Sequence, residues 1–446
     1  MNFRIKNTAI WVLSIIIMLT LGISCAEKEE TIKTGNVIFI HPDGSGASMW
    51  GALRMLKYGP DGMSNWDKLE RMGLYRAHVL NSTNSSSHGG ATIHSYGVKV
   101  KYDTYGNTEE KPVKSLSGTN ESILVEVQKA GMATALINSG HICEPGTGVF
   151  AANSPKRDMT DNISEQIINS GVDIIFSGGE KLLLPEGVIG KHGEAGVRRD
   201  GKNLIEAAIE NGYKVIYTRD ELMALSPDVE KVLGVFAAKH TFNDYSEERL
   251  RNDELPIYYD YAPTVAEMTD AALNILEKKG KQFFMVVEEE GTDNFANNNN
   301  ASGTLEAISR ADDAIGVALD FMKKNPKTLI ITAADSDAGG MQMTAIRDSE
   351  QFDKPLPLIA ENGAPLDGID GAGSRPFTAA PDAHGTRLRF GIVWSCYDDV
   401  AGAIIARAHG LNSHLLENNV DNTDIYRVMY ATLFGKVLPK YIETVK

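Results

Sequence analysis

With 446 residues, 42% of them hydrophobic and 23% charged, the chain can bury a large core and has ordinary globular composition. Its 59 acidic and 44 basic side chains leave a net charge of -15, with an isoelectric point near 5.2, which argues against nucleic acid as a standing partner. An anionic substrate therefore needs bound cations and local arginine to reverse the field at its site.

At the N-terminus, Arg4 and Lys6 precede an apolar stretch from Ala9 to Ile23, then Ser24, Cys25 and a charged run from Ala26 to Glu30. This is the layout of an export signal. Residues 1–25 are predicted to be a signal peptide and 26–34 a tether, with one large domain over 35–446. The junction resembles a bacterial lipoprotein cleavage site with Cys25 as the lipidated residue, although Gly22 stands where Leu is usual. Plain secretion and an uncleaved anchor are the alternatives, the apolar stretch being short for a membrane span. The predicted location is periplasmic or cell-surface as a lipoprotein, otherwise secreted. Cys143 and Cys396 can pair or stay free as far as the sequence says.

Further along, four apolar runs each end in an acidic residue: Val37 to Ile40 before Asp43, Ala133 to Ile137 before Glu144, Phe283 to Val287 before Glu288, and Leu329 to Thr332 before Asp335. Runs of this length read as buried strands of a parallel sheet, whose ligands sit beyond the carboxyl ends of the strands. Helical spacing is predicted over Ser122 to Lys129, Asp161 to Asn169, Thr264 to Lys279 and Leu305 to Lys323. Alternation of the two gives an α/β fold with a mostly parallel sheet. Val172 to Phe176, Lys214 to Tyr217 and Phe390 to Trp394 are further strand candidates, and Glu361 to Asp382 reads as a long loop leading to His384.

Acids gathered at one sheet edge repel one another unless cations hold them together. A nucleophile belongs among them, and Ser85-Ser-Ser-His-Gly-Gly-Ala-Thr92 offers one. Small residues after a serine let backbone approach a ligand, and a helix starting there aims free N–H groups at an anion. The plain alternative is a polar loop with a serine helix cap.

The order and spacing of these motifs resemble the alkaline phosphatase family from about Gly35 to the C-terminus. Asn36-Val-Ile-Phe-Ile-His-Pro-Asp-Gly-Ser-Gly46 resembles its first strand and metal-binding turn, which implies that Asp43 bridges two metals. Ser86 to Thr92, followed by Gly97-Val-Lys99, resembles its nucleophile loop and implies Ser87 as the attacking residue. Arg157 follows Glu144 by the interval that separates the family's magnesium-shell residue from its phosphate-clamping arginine. Glu288 with Asp293, Thr332 to Asp335 ending in Gly339-Gly340, and His384-Gly-Thr386 resemble its later metal motifs. The resemblance implies a three-layer sandwich around a mostly parallel sheet, and metal ligands Asp43, Glu144, Glu288, Asp293, Asn297, Asp335, Ser336 and His384. It also implies two to three divalent ions, Zn and Mg, and frequent homodimers. The implied activity is hydrolysis of small phosphate monoesters through a phosphorylated Ser87, with a phosphodiesterase, a sulfatase or a weakened phosphate-binding surface protein as alternatives.

Several positions depart from the family pattern. Asn297 and Ser336 stand where it has histidine, Ser86 replaces the acid before the nucleophile, and Gly146 replaces a hydroxyl ligand beside Thr147. Fewer imidazoles shift the expected metal from zinc toward Mg, Mn, Ca or Co. His88, His94 and Asp337 are candidate substitutes. His41, His78, His141, His192, His240, His409 and His414 are read as structural.

Overall fold

The computed structural model describes residues 32–108 and 111–441. The predicted signal peptide, Cys25 included, lies outside them, as does most of the tether.

Ten strands form the central sheet: β1 (Asn36–Pro42), β2 (Arg71–Arg76), β3 (Ala133–His141), β4 (Ile174–Gly178), β5 (Lys214–Ile216), β6 (Val232–Val235), β7 (Phe283–Glu289), β8 (Thr328–Thr332), β9 (Ile404–Gly410) and β10 (Asn419–Asp421). Their spatial order is β10-β2-β9-β8-β1-β7-β3-β4-β6-β5. Every pairing is parallel except those of β9, which runs antiparallel to β8 and β2. The four predicted acid-ended runs become β1, β3, β7 and β8, adjacent at the centre of the sheet.

Period-two alternation explains why these runs are apolar throughout. Val37, Phe39, Leu136, Phe284, Val286 and Ile331 face one buried cluster, which includes Ile93, Phe150 and Tyr426. Ile38, Ile40, Ile137, Met285, Val287 and Ile330 face the other, packed on Met268, Leu276, Ile308 and Ile315. The result is the α/β sandwich of three layers.

Several of the helices begin where a side chain satisfies a free N–H group. The helices are α1 (Ser87–Tyr96), α2 (Pro145–Ala151), α3 (Val265–Lys279), α4 (Gly291–Asn297), α5 (Ala301–Lys324) and α6 (Asn422–Phe434), with shorter ones between. Thr264 and Glu267 form a capping box on α3, and Gly280 ends it at φ 64°. Asn300 caps α5 by accepting from Gly303 N, so that helix starts before the predicted Leu305.

Two expectations change. The Phe390 strand is not in the central sheet: Arg389–Val393 pairs antiparallel with Gln342–Ile346, Leu366–Gly368 and Phe377–Thr378 in a small second sheet. The segment read as a long loop contributes Leu366–Gly368, Gly371–Ala372 and Phe377–Thr378, whose two- and three-residue lengths leave no periodic signal. Cys143 and Cys396 are free, the former buried.

Candidate active site

The carboxyl ends of β1, β7, β3 and β8 converge. Parallel register sets Glu288 level with His41 on one side and Asn138 on the other. Just past β1, Asp43 is fully buried, and Gly44 N donates to its Oδ1 at 2.9 Å. Gly44 itself turns at φ 61°, and a Cβ there would lie 2.5 Å from Asp293 Oδ1, so only glycine lets Asp43 and Asp293 approach. Asp335 Oδ1 lies 3.5 Å from the same Gly44 N.

Around this turn, one oxygen each from Asp43, Glu290 and Asp293 fall within 4.8 Å of one another, as do ligand atoms of His41, Asp43 and Glu288. Glu288 is gripped on both oxygens: Gly146 N donates to Oε1 at 3.0 Å, while Thr147 Oγ1 donates to Oε2 at 3.1 Å and Asn138 Nδ2 donates to the same oxygen. Asp399, half-buried, closes the far side. The Asn297 amide donates to both Asp293 oxygens (3.1 and 3.2 Å) and to Asp399 Oδ1 (3.3 Å).

Electrostatics follow from burial. Desolvation, then repulsion from Asp43, lifts Glu288 to about 8 and drives Asp335 well above the carboxylate range. Burial with neighbouring acids does the same to Asp293 and Glu290, and raises Asp399 and Asp337, the last to about 7. Burial opposes charge on His41 and Asp43 too, but their mutual contact at 3.3 Å outweighs it, so Asp43 falls below its usual range and His41 rises to about 10. Asp43 Oδ2, Glu290 Oε2, Asp335 Oδ2, Asp337 Oδ1, Ser336 Oγ and His41 Nε2 are buried without a hydrogen-bond partner. Orphaned oxygens facing one another are what divalent cations satisfy, so the donor set fits them.

Ser87 sits beside this cluster. Capping falls to Ser86, whose Oγ accepts from Gly89 N at 3.1 Å, leaving Ser87 as the first residue of α1, 6% exposed. A Cβ on Gly90 would meet Asp335 Cβ at 2.3 Å, and Ser87, three residues earlier, shares that face of the helix. The serine that caps the helix and the serine expected to attack are thus adjacent residues.

Glu144 and Arg157 stand at the rim. Arg157, two-fifths exposed, donates through one guanidinium nitrogen to Glu144 Oε2 at 2.8 Å. Burial disfavours its charge, yet Glu144 and Glu290 hold the proton more firmly than usual. Glu144 is therefore the acid that orients the guanidinium. Its other oxygen turns to His141 Nε2 at 3.0 Å, so both oxygens are engaged away from Asp43 and Glu288.

Three sequence-based assignments look different in place. His384 does not join the cluster: it is exposed on a turn closed by Asp382, in a loop tied to Met55 and Asp61. Asn297 uses its carbonyl to accept from Gly339 N at 3.1 Å and its amide to cross-link two acids. His94 is a packing residue, its Nε2 2.7 Å from Tyr75 Oη between the rings of Phe39 and His41. His88 faces Asp103 at 3.8 Å. Asp337, with an orphaned oxygen, does border the cluster, beside Asp399 in the pairing of Asp337-Ala338 with Asp399-Val400. Sequence reasoning missed His41, Glu290 and Asp399. His41 and Glu290 carried a signal, since each follows an apolar run on a strand that already supplies an acid; Asp399 carried none.

Fold and site together define an α/β hydrolytic enzyme whose acidic cluster and serine-headed helix lie at the carboxyl ends of the central strands. A family model described as alkaline phosphatase matches residues 34–433. The membrane-bound alkaline phosphatase of Bombyx mori is 25% identical over 421 residues, covering 84% of this chain and 74% of that protein. Alkaline phosphatase 4 of Bacillus subtilis is 26% identical over 341 residues, covering 74% and 67%. Among solved structures, the alkaline phosphatase of the Antarctic bacterium TAB5 superposes with a TM-score of 0.68 at 21% identity, over 90% of this chain and 99% of that one. That of Thermus thermophilus gives 0.68 at 20%, over 92% and 95%. The chain belongs to the alkaline phosphatase family and is a phosphomonoester hydrolase.

Proposed function

We propose that this chain is an exported phosphatase that cleaves small phosphate monoesters by transferring the phosphoryl group to Ser87, with Asp43, Glu288, Glu290, Asp293, Asp335 and Asp399 as the residues that hold divalent cations. The observation that carries the reading is the seating of the Ser87 helix against Asp335 within a cluster of buried, unpaired carboxylate oxygens.

Ser87 is aimed from the positive end of α1, where backbone N–H groups favour an incoming anion. Arg157 offers its planar fork to two free phosphate oxygens, and Glu144 holds that fork in place. A monoester has three free oxygens, so with two in the fork a third remains for the cations, which a diester lacks. Gly146, Thr147 and Asn138 fix Glu288 so that its charge does not move during the reaction. When bound, divalent cations supply neutralisation of phosphate charge and make a hydroxyl easier to deprotonate. The oxygen-rich donors around Asp293 and Asp335 suit Mg, Mn or Ca better than zinc. Export rests on the N-terminal signal pattern and Cys25; among the described residues no helix is long and apolar enough to cross a membrane.

Hydrolysis of a chromogenic phosphomonoester, measured after dialysis against Mg, Mn, Ca, Co or Zn, tests the reading with Ser87→Ala as control. Diester and sulfate analogues are run alongside. Equal rates for wild type and Ser87→Ala under every metal would remove Ser87 from the mechanism, and faster diester or sulfate cleavage would reassign the substrate.

A further inference from the structure

We propose that His141, Glu144 and His240 form a metal site of a second kind, taking a borderline transition ion such as Zn²⁺ and fixing Arg157 through Glu144. This does not depend on the nucleophile assignment. It joins Glu144 to two histidines that the acid-ended strand pattern does not predict, since both look structural in the sequence.

The site is built before any ion arrives. His141 ends β3, Glu144 follows one turn later, and His240 comes from the segment after β6. That segment is clamped to β3, because Thr241 donates to Ser139 O from both its N (2.9 Å) and its Oγ1 (2.8 Å). The His240 ring is sandwiched, stacked on His141 at 5.1 Å and on Phe242 at 4.9 Å, each within 14° of parallel. One ligand atom from each of the three residues lies within 4.8 Å of the others.

An ion pair alone leaves this arrangement unexplained. His141 Nε2 at 3.0 Å already satisfies Glu144 Oε1. His240 Nδ1 faces the same oxygen at 3.9 Å, too far for a hydrogen bond, and this nitrogen is buried without a partner in a residue only 3% exposed. Donors around a tetrahedral ion with bonds of about 2.0–2.1 Å stand roughly 3.3 Å apart, between the two observed spacings. A cation at the centre satisfies the orphaned nitrogen and relieves the misfit together. Two imidazoles and one carboxylate are a zinc-type set that leaves a coordination position open, and His141, with 18% of its side chain exposed, provides the way in. The acidic cluster next to it is otherwise an oxygen set, so the chain would sort two metals by ligand softness. Because the second Glu144 oxygen holds Arg157, filling this site stiffens the phosphate clamp.

Cobalt discriminates the two sites without any activity measurement. Four-coordinate Co²⁺ with nitrogen ligands absorbs visible light far more strongly than six-coordinate Co²⁺ among oxygens. Metal-free full-length protein titrated with Co²⁺ is expected to develop the strong band to one equivalent per chain, with Zn²⁺ bleaching it and Mg²⁺ not. His240→Phe keeps the ring stack and removes the donor, and His141→Asn perturbs the site from its exposed side; each is expected to lose the band and one equivalent of zinc, with circular dichroism unchanged. Inorganic phosphate is expected to inhibit both variants several-fold less tightly. No strong band in wild type, or the same band in either folded variant, overturns the proposal.

Discussion

Gly146 is where a single methyl group should uncouple the acidic cluster. A Cβ there would fall 2.1 Å from Glu288 Oε1, 2.3 Å from its carboxyl carbon and 2.6 Å from His41 Cδ2. Ordinary contacts begin near 3.4 Å, so Glu288 must retreat by roughly 1 Å or more, and it is held on both oxygens by Gly146, Thr147 and Asn138. Overpacking of this kind costs about 1–3 kcal/mol of stability. A displacement of about 1 Å in a positioned charged group costs on the order of 100-fold in rate. Gly146→Ala is therefore expected to fold with a lowered Tm, to need more Mg²⁺ for half-maximal activity, and to lose about two orders of magnitude in kcat with a chromogenic monoester. Wild-type kcat together with wild-type metal dependence in Gly146→Ala would mean that Glu288 takes no part in the site.

Other outcomes follow from the same geometry. Arg157→Lys keeps the charge but loses the fork, and should weaken phosphate binding by about 1.5–3 kcal/mol, roughly ten- to hundredfold, read as the inhibition constant for inorganic phosphate. Asn297→His replaces the amide cross-link between Asp293 and Asp399 with an imidazole, and the best-supporting metal should move toward zinc in an activity series across metals. Stability of the metal-free protein should fall as pH rises. Glu288 and Asp337 carry folded values of about 8 and about 7, above their unfolded values near 4, so each favours the fold at low pH and loses that advantage as pH climbs through this window. Tm measured between pH 5 and 9 should drop in chelator, and added Mg²⁺ should restore more of it at pH 9 than at pH 5.

How much of this was legible beforehand depended on local pattern. The acid-ended runs put Asp43, Glu288 and Asp335 at the ends of neighbouring central strands because a buried parallel strand is a continuous apolar run and its carboxyl end lies at a fixed spot. The strands Arg71–Arg76 and Ile404–Gly410 alternate buried with more accessible positions, and mixed sequence of that kind gave no run to detect. Spatial partners far apart in sequence stayed hidden. His240 meets His141 only because the segment after β6 passes the end of β4 to bond Ser139 on β3, and Asp399 reaches Asp293 only through its pairing with Asp337-Ala338. His384 looked apt beside a long glycine-rich segment, yet that segment folds into the small sheet and turns the histidine to solvent. Asn297 offers a neutral amide where an imidazole is expected, and its bridging of Asp293 and Asp399 has no signature in the local sequence.

The most direct test is to quench the enzyme with acid during turnover of a phosphomonoester and map phosphate along the chain by mass spectrometry. One phosphate on Ser87, absent from Ser87→Ala and from chelator-treated enzyme, is the predicted result. Turnover with no phosphate on Ser87, or with the label on another residue, would contradict the assignment on which the catalytic scheme stands.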